Sequence, residues 1–169
     1  MQLAAHYAAT RQYDEAIAWG LKVRQIDPDV APWLLCDVYY AKRMFEEAAD
    51  CMFRNFKQWL TPTQIGDLRS AFARDGIDGL FRVRIDQLKA VTDEAGRNIV
   101  VIAAFYAQLG ETEEAFRYLE QAYAMRAQGA PAIGVDLCFD RVRGDPRFAD
   151  LMRRIGLPPP SAYPSAAAP

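Results

Sequence analysis

Apolar and polar positions follow a helical period along most of the chain, and the pattern itself repeats. Leu3 and Tyr7, Leu35 and Tyr39, Leu68 and Phe72, and Ile102 and Tyr106 each set an aliphatic and an aromatic side chain four residues apart. Such pairs share one face of a helix. The aromatics follow one another at 32, 33 and 34 residues. Four residues beyond them stand Arg11, Arg43, Gly76 and Gly110, where the spacing ends the helix. Five residues further, three units carry Ala16, Ala48 and Ala115, and the third carries Phe81. A small side chain in a second helix lets two antiparallel helices approach closely across a short turn. Each unit therefore reads as helix, turn, helix.

Punctuation along the chain supports these elements. NIVVIAAFYAQLG is an apolar helix ended by Gly110, a residue that takes positive φ at a helix C-terminus. Thr112 is predicted to cap the next helix, ahead of Glu113 and Glu114. YDEAIAWGLKVRQI closes at Asp27-Pro28, because proline cannot continue a helix interior. Thr61-Pro62-Thr63-Gln64 reads as a capping box with proline at the first helical position.

Helix pairs of about 34 residues with leucine, aromatic, glycine, alanine and a closing Asp-Pro in this order resemble tetratricopeptide (TPR) repeats. LAAHYAATRQYDEAIAWGLKVRQIDP and IAAFYAQLGETEEAFRYLEQAY carry the resemblance best. The second unit lacks the closing proline. The third matches in its first helix only, and Phe81 with Gly79 nearby predicts a wider or shifted pair. The resemblance covers residues 1–128. It implies an all-α, right-handed superhelix of four hairpins, about 1–29, 30–60, 61–95 and 96–128. The repeated residues are then core and turn positions, not chemistry.

Beyond residue 128, the loop QGAPAIGVDLCFDRVRG leads into DPRFADLMRRIGLP. Asp145 is predicted to cap, Pro146 to open and Gly156 to end a helix whose Phe148, Leu151, Met152 and Ile155 form one stripe, with Asp150, Arg153 and Arg154 facing outward. Residues 129–157 would thus form a loop and a capping helix, and 158–169 a disordered tail. The opening alanine-rich stretch is uncharged before Arg11 and looks unfinished. The expectation is a piece of a longer polypeptide, against the alternative of a short first hairpin. FDRVRGDPRFADLMRRIGLP also resembles the closing segment of TPR regions at the C-termini of multidomain bacterial signalling proteins. There the repeats follow a winged-helix domain, an adenylate cyclase or a serine/threonine kinase.

Composition narrows the function classes. The chain has 169 residues, 51% apolar and 25% charged, which predicts one globular domain. Twenty basic against 22 acidic residues argue against a broad nucleic-acid surface. No apolar run is long enough for a membrane span, and MQLAAHYAATRQYDEA lacks the layout of a secretion signal. A soluble, cytoplasmic chain is the expectation. Cys36, Cys51 and Cys138 are odd in number and widely spaced, so neither a disulfide framework nor a metal knuckle is read; with His6, they are read as helix residues in or near a core. A single histidine leaves little for catalysis, and neither a cofactor nor a catalytic residue is assigned.

In TPR arrays the first helix of each pair lines a concave groove where ligands dock. The candidates off the core stripe are Trp33, Asp37 and Tyr40, then Asp67, Ser70 and Arg74, then Arg97, Val100, Ala104 and Gln108. The first unit offers Ala5, Ala8 and Ala9. Aromatics and arginines anchor interfaces, so an extended peptide or a partner helix is the expected ligand. Trp33 and Asp37 stand where chaperone-binding relatives need Lys and Asn, which argues against that form of recognition. The acidic pairs Asp14/Glu15, Glu46/Glu47 and Glu113/Glu114 fall at starts of second helices and read as dipole partners, while Arg82/Arg84 and Arg141/Arg143 read as solvated faces or ion-pair partners. The leading expectation is a non-catalytic protein-interaction scaffold. The alternatives are self-association through the N-terminal face and an enzyme of unrecognised type.

Overall fold

The computed structural model describes residues 2–26, 33–91 and 96–163. Among them there is no strand. Eight α-helices follow one another: α1 (Gln2–Ala9), α2 (Tyr13–Ile26), α3 (Trp33–Ala41), α4 (Phe45–Phe56), α5 (Pro62–Lys89), α6 (Arg97–Leu109), α7 (Thr112–Ala124) and α8 (Pro146–Ile155). Short 3-10 turns lie at Ala130–Ala132, Leu137–Phe139 and Pro160–Ala162. No helix among the described residues is long and apolar enough to cross a membrane. The chain divides into two compact units, Met1–Val83 and Arg84–Pro169, each with its own core.

The four turn positions read from the spacing all take a positive φ. Arg11 and Arg43 have φ of 61°, Gly76 of 65° and Gly110 of 78°. Arginine accepts this region at a cost that glycine avoids. In the first unit, α1 packs on α2 and α3 on α4, with α2 also against α3. α5 is bent at Gly76, whose ψ of −154° suits glycine alone. Its arms, 62–75 and 77–89, meet at that single residue. The close approach has moved from position 81 to Gly79, where a Cβ would stand 2.6 Å from the Ala71 carbonyl oxygen. Phe81 is thereby free to pack its ring against Tyr40, 5.4 Å between centroids. The capping box closes as expected: the Thr61 amide donates to Gln64 Oε1 at 3.0 Å and the Gln64 amide to Thr61 Oγ1 at 3.3 Å.

In the second unit α6 packs on α7 as an antiparallel hairpin. Its second helix is capped at Glu111, without a side-chain bond, so Thr112 is the first helical residue and not the cap. The Glu111 amide still reaches back to Tyr106 O, 2.9 Å, which closes the turn. α8 obeys its sequence: the Asp145 side chain accepts from the Arg147 amide, Pro146 opens the helix and Gly156 ends it at φ 87°. Arg154 is half-buried instead of facing outward, held by Glu120 and by Asp150.

The repeat runs further than the sequence reading carried it. Phe139 follows Tyr106 by 33 residues, Phe148 follows Ala115 by 33, and Met152 follows Leu119 by 33. All three are fully buried. Residues 129–157 therefore place three buried side chains at the interval of the repeat, with two 3-10 turns ahead of α8. A phenylalanine at 148, where the first, second and fourth units carry alanine and the third Phe81, meets Phe139 ring to ring at 6.2 Å. Of the expected tail, Pro160–Ala162 form a 3-10 turn and Tyr163 lies against Gly134. Residues 164–169, Asp27-Pro28 and the 92–95 end of the third hairpin lie outside the described residues.

Candidate functional site

Antiparallel packing brings the start of α3 beside the end of α4. Trp33, the first residue of α3, therefore meets Trp59 in the turn after α4. Their indoles stack nearly parallel, 9° apart with centroids at 5.8 Å. Phe56 lies against Trp33 at 5.3 Å and is itself buried. The indoles are not buried: Trp33 is 38% and Trp59 61% exposed. The Trp59 and Leu60 amides both donate to the Phe56 carbonyl, at 3.0 and 2.8 Å, which fixes the turn that presents Trp59. Trp59 was not among the sequence candidates because it falls off the repeating stripe; its place opposite Trp33 about the α3–α4 turn is the signal that finds it.

The other unit 1 candidates are unevenly available. Asp37 is half-buried. Tyr40 is half-buried between Phe45 and Phe81, at 5.6 and 5.4 Å. Asp67, Ser70 and Arg74 are exposed on the first arm of α5, and Arg74 Nε donates to Asp75 Oδ2 at 2.7 Å. On the first helix, Ala5 is exposed, Ala8 buried and Ala9 half-buried.

In unit 2 the corresponding positions of α6 are covered by the chain's own 129–142 segment. Val100, Ala104 and Gln108 are buried. Val100 lies so close to Gly129 that a Cβ there would approach it to 3.2 Å. Gln108 Nε2 donates to Cys138 Sγ at 3.3 Å, and Arg141 donates to the Gln108 carbonyl at 2.6 Å. The side chain of Arg97 lies outside the described residues.

The cysteines differ from the expectation of separate thiols. Cys36 on α3 and Cys51 on α4 form a disulfide, their Cα atoms 5.3 Å apart. They lie equally far from the α3–α4 turn, so antiparallel packing places them face to face. The buried Asn55 amide donates to Cys36 Sγ and to the Cys51 carbonyl, both at 3.2 Å. This fixes the base of α3 one turn from Trp33. Cys138 is unpaired with another cysteine and sits in a 3-10 turn, not a helix, and His6 is exposed.

Charged groups serve the helices. The acidic pairs occupy the first turns of α2, α4 and α7. Arg147 holds the Glu113 carboxyl below its ordinary range through a hydrogen bond and its charge, and Arg117 does the same for Glu114. Arg143 is buried, not solvated: it donates to the carbonyls of Gly134 and Asp136 and to Asp140 Oδ1, at 2.5, 3.0 and 3.0 Å. Burial lowers the pKa of Arg84. Lys89 Nζ donates to Tyr106 Oη at 2.8 Å, and this bond chiefly raises the ammonium pKa.

Unit 1 thus carries two exposed indoles mounted on a cross-linked hairpin. Stacked indoles offer a large apolar face with little conformational entropy to lose, which suits binding to a partner chain. Comparison with protein-family models, with curated proteins and with solved structures returns no match.

Proposed function

We propose that the chain is a TPR-like, non-catalytic scaffold for protein–protein interaction, in which unit 1 takes up a peptide or partner helix. The observation that carries this reading is the exposed Trp33–Trp59 pair on a hairpin cross-linked beneath it. A surface fixed in advance loses little freedom on binding, which favours affinity. The resemblance of the closing segment extends the proposal: the chain is the C-terminal regulatory part of a bacterial signalling protein of the winged-helix, adenylate cyclase or Ser/Thr kinase type.

The test is selection from a random peptide library displayed on phage, followed by affinity measurement on synthetic peptides. Selected peptides are expected to lose at least about tenfold in affinity for Trp59→Ala, the size of an interface anchor, with helicity by circular dichroism unchanged. A library that yields no binder, or binders indifferent to both Trp33→Ala and Trp59→Ala, refutes the reading.

Self-association has its own support. Leu3 is 51% and Ile26 86% exposed on the first hairpin. Light scattering decides it: a molecular mass that stays at one chain into the tens of micromolar removes this alternative.

A further inference from the structure

Unit 2 contains a pocket of about 510 Å³ that none of the repeat positions explains. It lies where α7 ends, between that end, the Ala130–Ala132 turn and the last turn of α8. Its walls include Tyr123, Ala127, Pro131 and Ile155, together with two arginines, Arg126 and Arg154. A volume of this size is that of a small-molecule site.

The two arginines are not equivalent. Arg154 is already answered: it pairs with Glu120 and Asp150, and its guanidinium lies over the Tyr123 ring at 4.7 Å. Its charge is spent on holding α8 against α7. Arg126 is exposed, and no carboxylate pairs with it among the described residues. Its place is set by the backbone. With φ at 51° it turns the chain at the end of α7, its amide donating to Tyr123 O at 3.0 Å and the next amide to Ala122 O at 2.8 Å. The pocket therefore combines an apolar lining with an arginine that no carboxylate among the described residues pairs.

We propose that this pocket binds an amphipathic carboxylate, with the carboxylate on Arg126 and the apolar body against Tyr123, Pro131 and Ile155. The shared chemistry fits a free carboxylic acid or the last residue of a peptide. The site is independent of the Trp33–Trp59 surface.

Calorimetric titration of the full chain tests it with four probes: octanoate, octanamide, and an acetylated tetrapeptide ending in leucine as the free acid and as the amide. At least one carboxylate binds, and its amide binds about tenfold more weakly or worse, as expected for a lost charge-assisted bond. Binding of octanoate alone assigns the free acid; binding of the peptide acid alone assigns a chain terminus. Arg126→Gly removes the charge and suits the left-handed backbone, so the fold is kept while the acid–amide difference disappears. Ala124→Trp, at an exposed lining position, blocks the pocket; Arg153→Gln, on the exposed side of α8, leaves binding intact. The proposal falls if neither carboxylate binds at millimolar concentration, or if Arg126→Gly preserves the preference for acid over amide.

Discussion

Unit 1 ties α3 to α4 through Cys36 and Cys51 and packs aromatic rings around the tie, whereas unit 2 fastens its last segments with arginines. Arg141 reaches α6, Arg143 gathers the carbonyls of its own loop, Arg147 reaches Glu113 and Arg154 reaches Glu120. The consequence shows at matched repeat positions. Trp33 in α3 remains open, while Val100, Ala104 and Gln108 in α6 are covered by a loop that these polar contacts hold down. Similar helix-forming sequence thus leaves an exposed indole in one unit and buried side chains under the unit's own loop in the other. The two fastenings also differ in what undoes them: a disulfide yields to reductant, and a carboxylate–guanidinium pair yields to acid.

The largest expected effect comes from breaking the cover of unit 2. Arg143→Ala leaves the Asp140 carboxylate with one partner fewer in a nearly buried position and frees the carbonyls of Gly134 and Asp136. Removing one member of a buried ion pair costs about 3–5 kcal/mol. The urea midpoint should fall accordingly, and amide exchange at Val100, Ala104 and Gln108 should accelerate as the loop lifts. Arg143→Lys should rescue little, since one ammonium cannot serve three divergent acceptors. If α6 exchanges as slowly as before, the loop is held by its apolar contacts and the contrast between the units is not electrostatic.

Much of the fold was legible because its signals are local. Arg11, Arg43, Gly76 and Gly110 stand where the helical stripe must end, and each takes a positive φ there. The capping box at Thr61 and the cap at Asp145 depend on residues two or three positions apart. The continued spacing at Phe139, Phe148 and Met152 was hidden because Gly129, Pro131 and Gly134 break the helical period and Phe148, like Phe81, replaces the small residue of the first, second and fourth units. Two further features depend on tertiary pairing. The Cys36–Cys51 bond follows from antiparallel symmetry about the turn, which an odd cysteine count obscured. The cover over α6 depends on residues some 30 positions away, such as Cys138 against Gln108. Of the candidate surface, Trp33 was legible from its helical position, and its partner Trp59 was not.

The second test acts on unit 1. Dithiothreitol opens the Cys36–Cys51 bond, which spans 15 residues. Closing a loop of that length restrains the unfolded chain by about 3 kcal/mol. Reductant should therefore lower the urea midpoint of the wild-type chain by that order and leave the Cys36→Ala, Cys51→Ala double variant unmoved. Tryptophan fluorescence should report the transition that shifts, because Trp19, Trp33 and Trp59 all lie in unit 1. Equal midpoints with and without reductant would mean that the α3–α4 packing alone fixes the surface, and that the covalent side of the comparison carries no weight.

Acid provides the smallest and most selective test. Arg147 depresses the folded-state pKa of Glu113 and of Asp145, mainly through hydrogen bonds and in part through charge. A carboxylate with a depressed folded pKa stabilises the fold above its unfolded value, about 4.3 for Glu and 3.9 for Asp. That contribution disappears as pH falls through the lower folded values. Glu113 is exposed and Asp145 half-buried at the surface, so solvent screens the effect and it should be modest. Arg147→Gln removes the common partner. Wild type and variant should therefore differ in urea midpoint at pH 6 and converge as pH drops below about 4. A reducing agent should not alter this difference, because the disulfide lies in the other unit. A gap that persists at pH 2.5 would assign the role of Arg147 to its stacking over Phe116, 4.2 Å from the ring centroid, and would place α8 under apolar instead of ionic control.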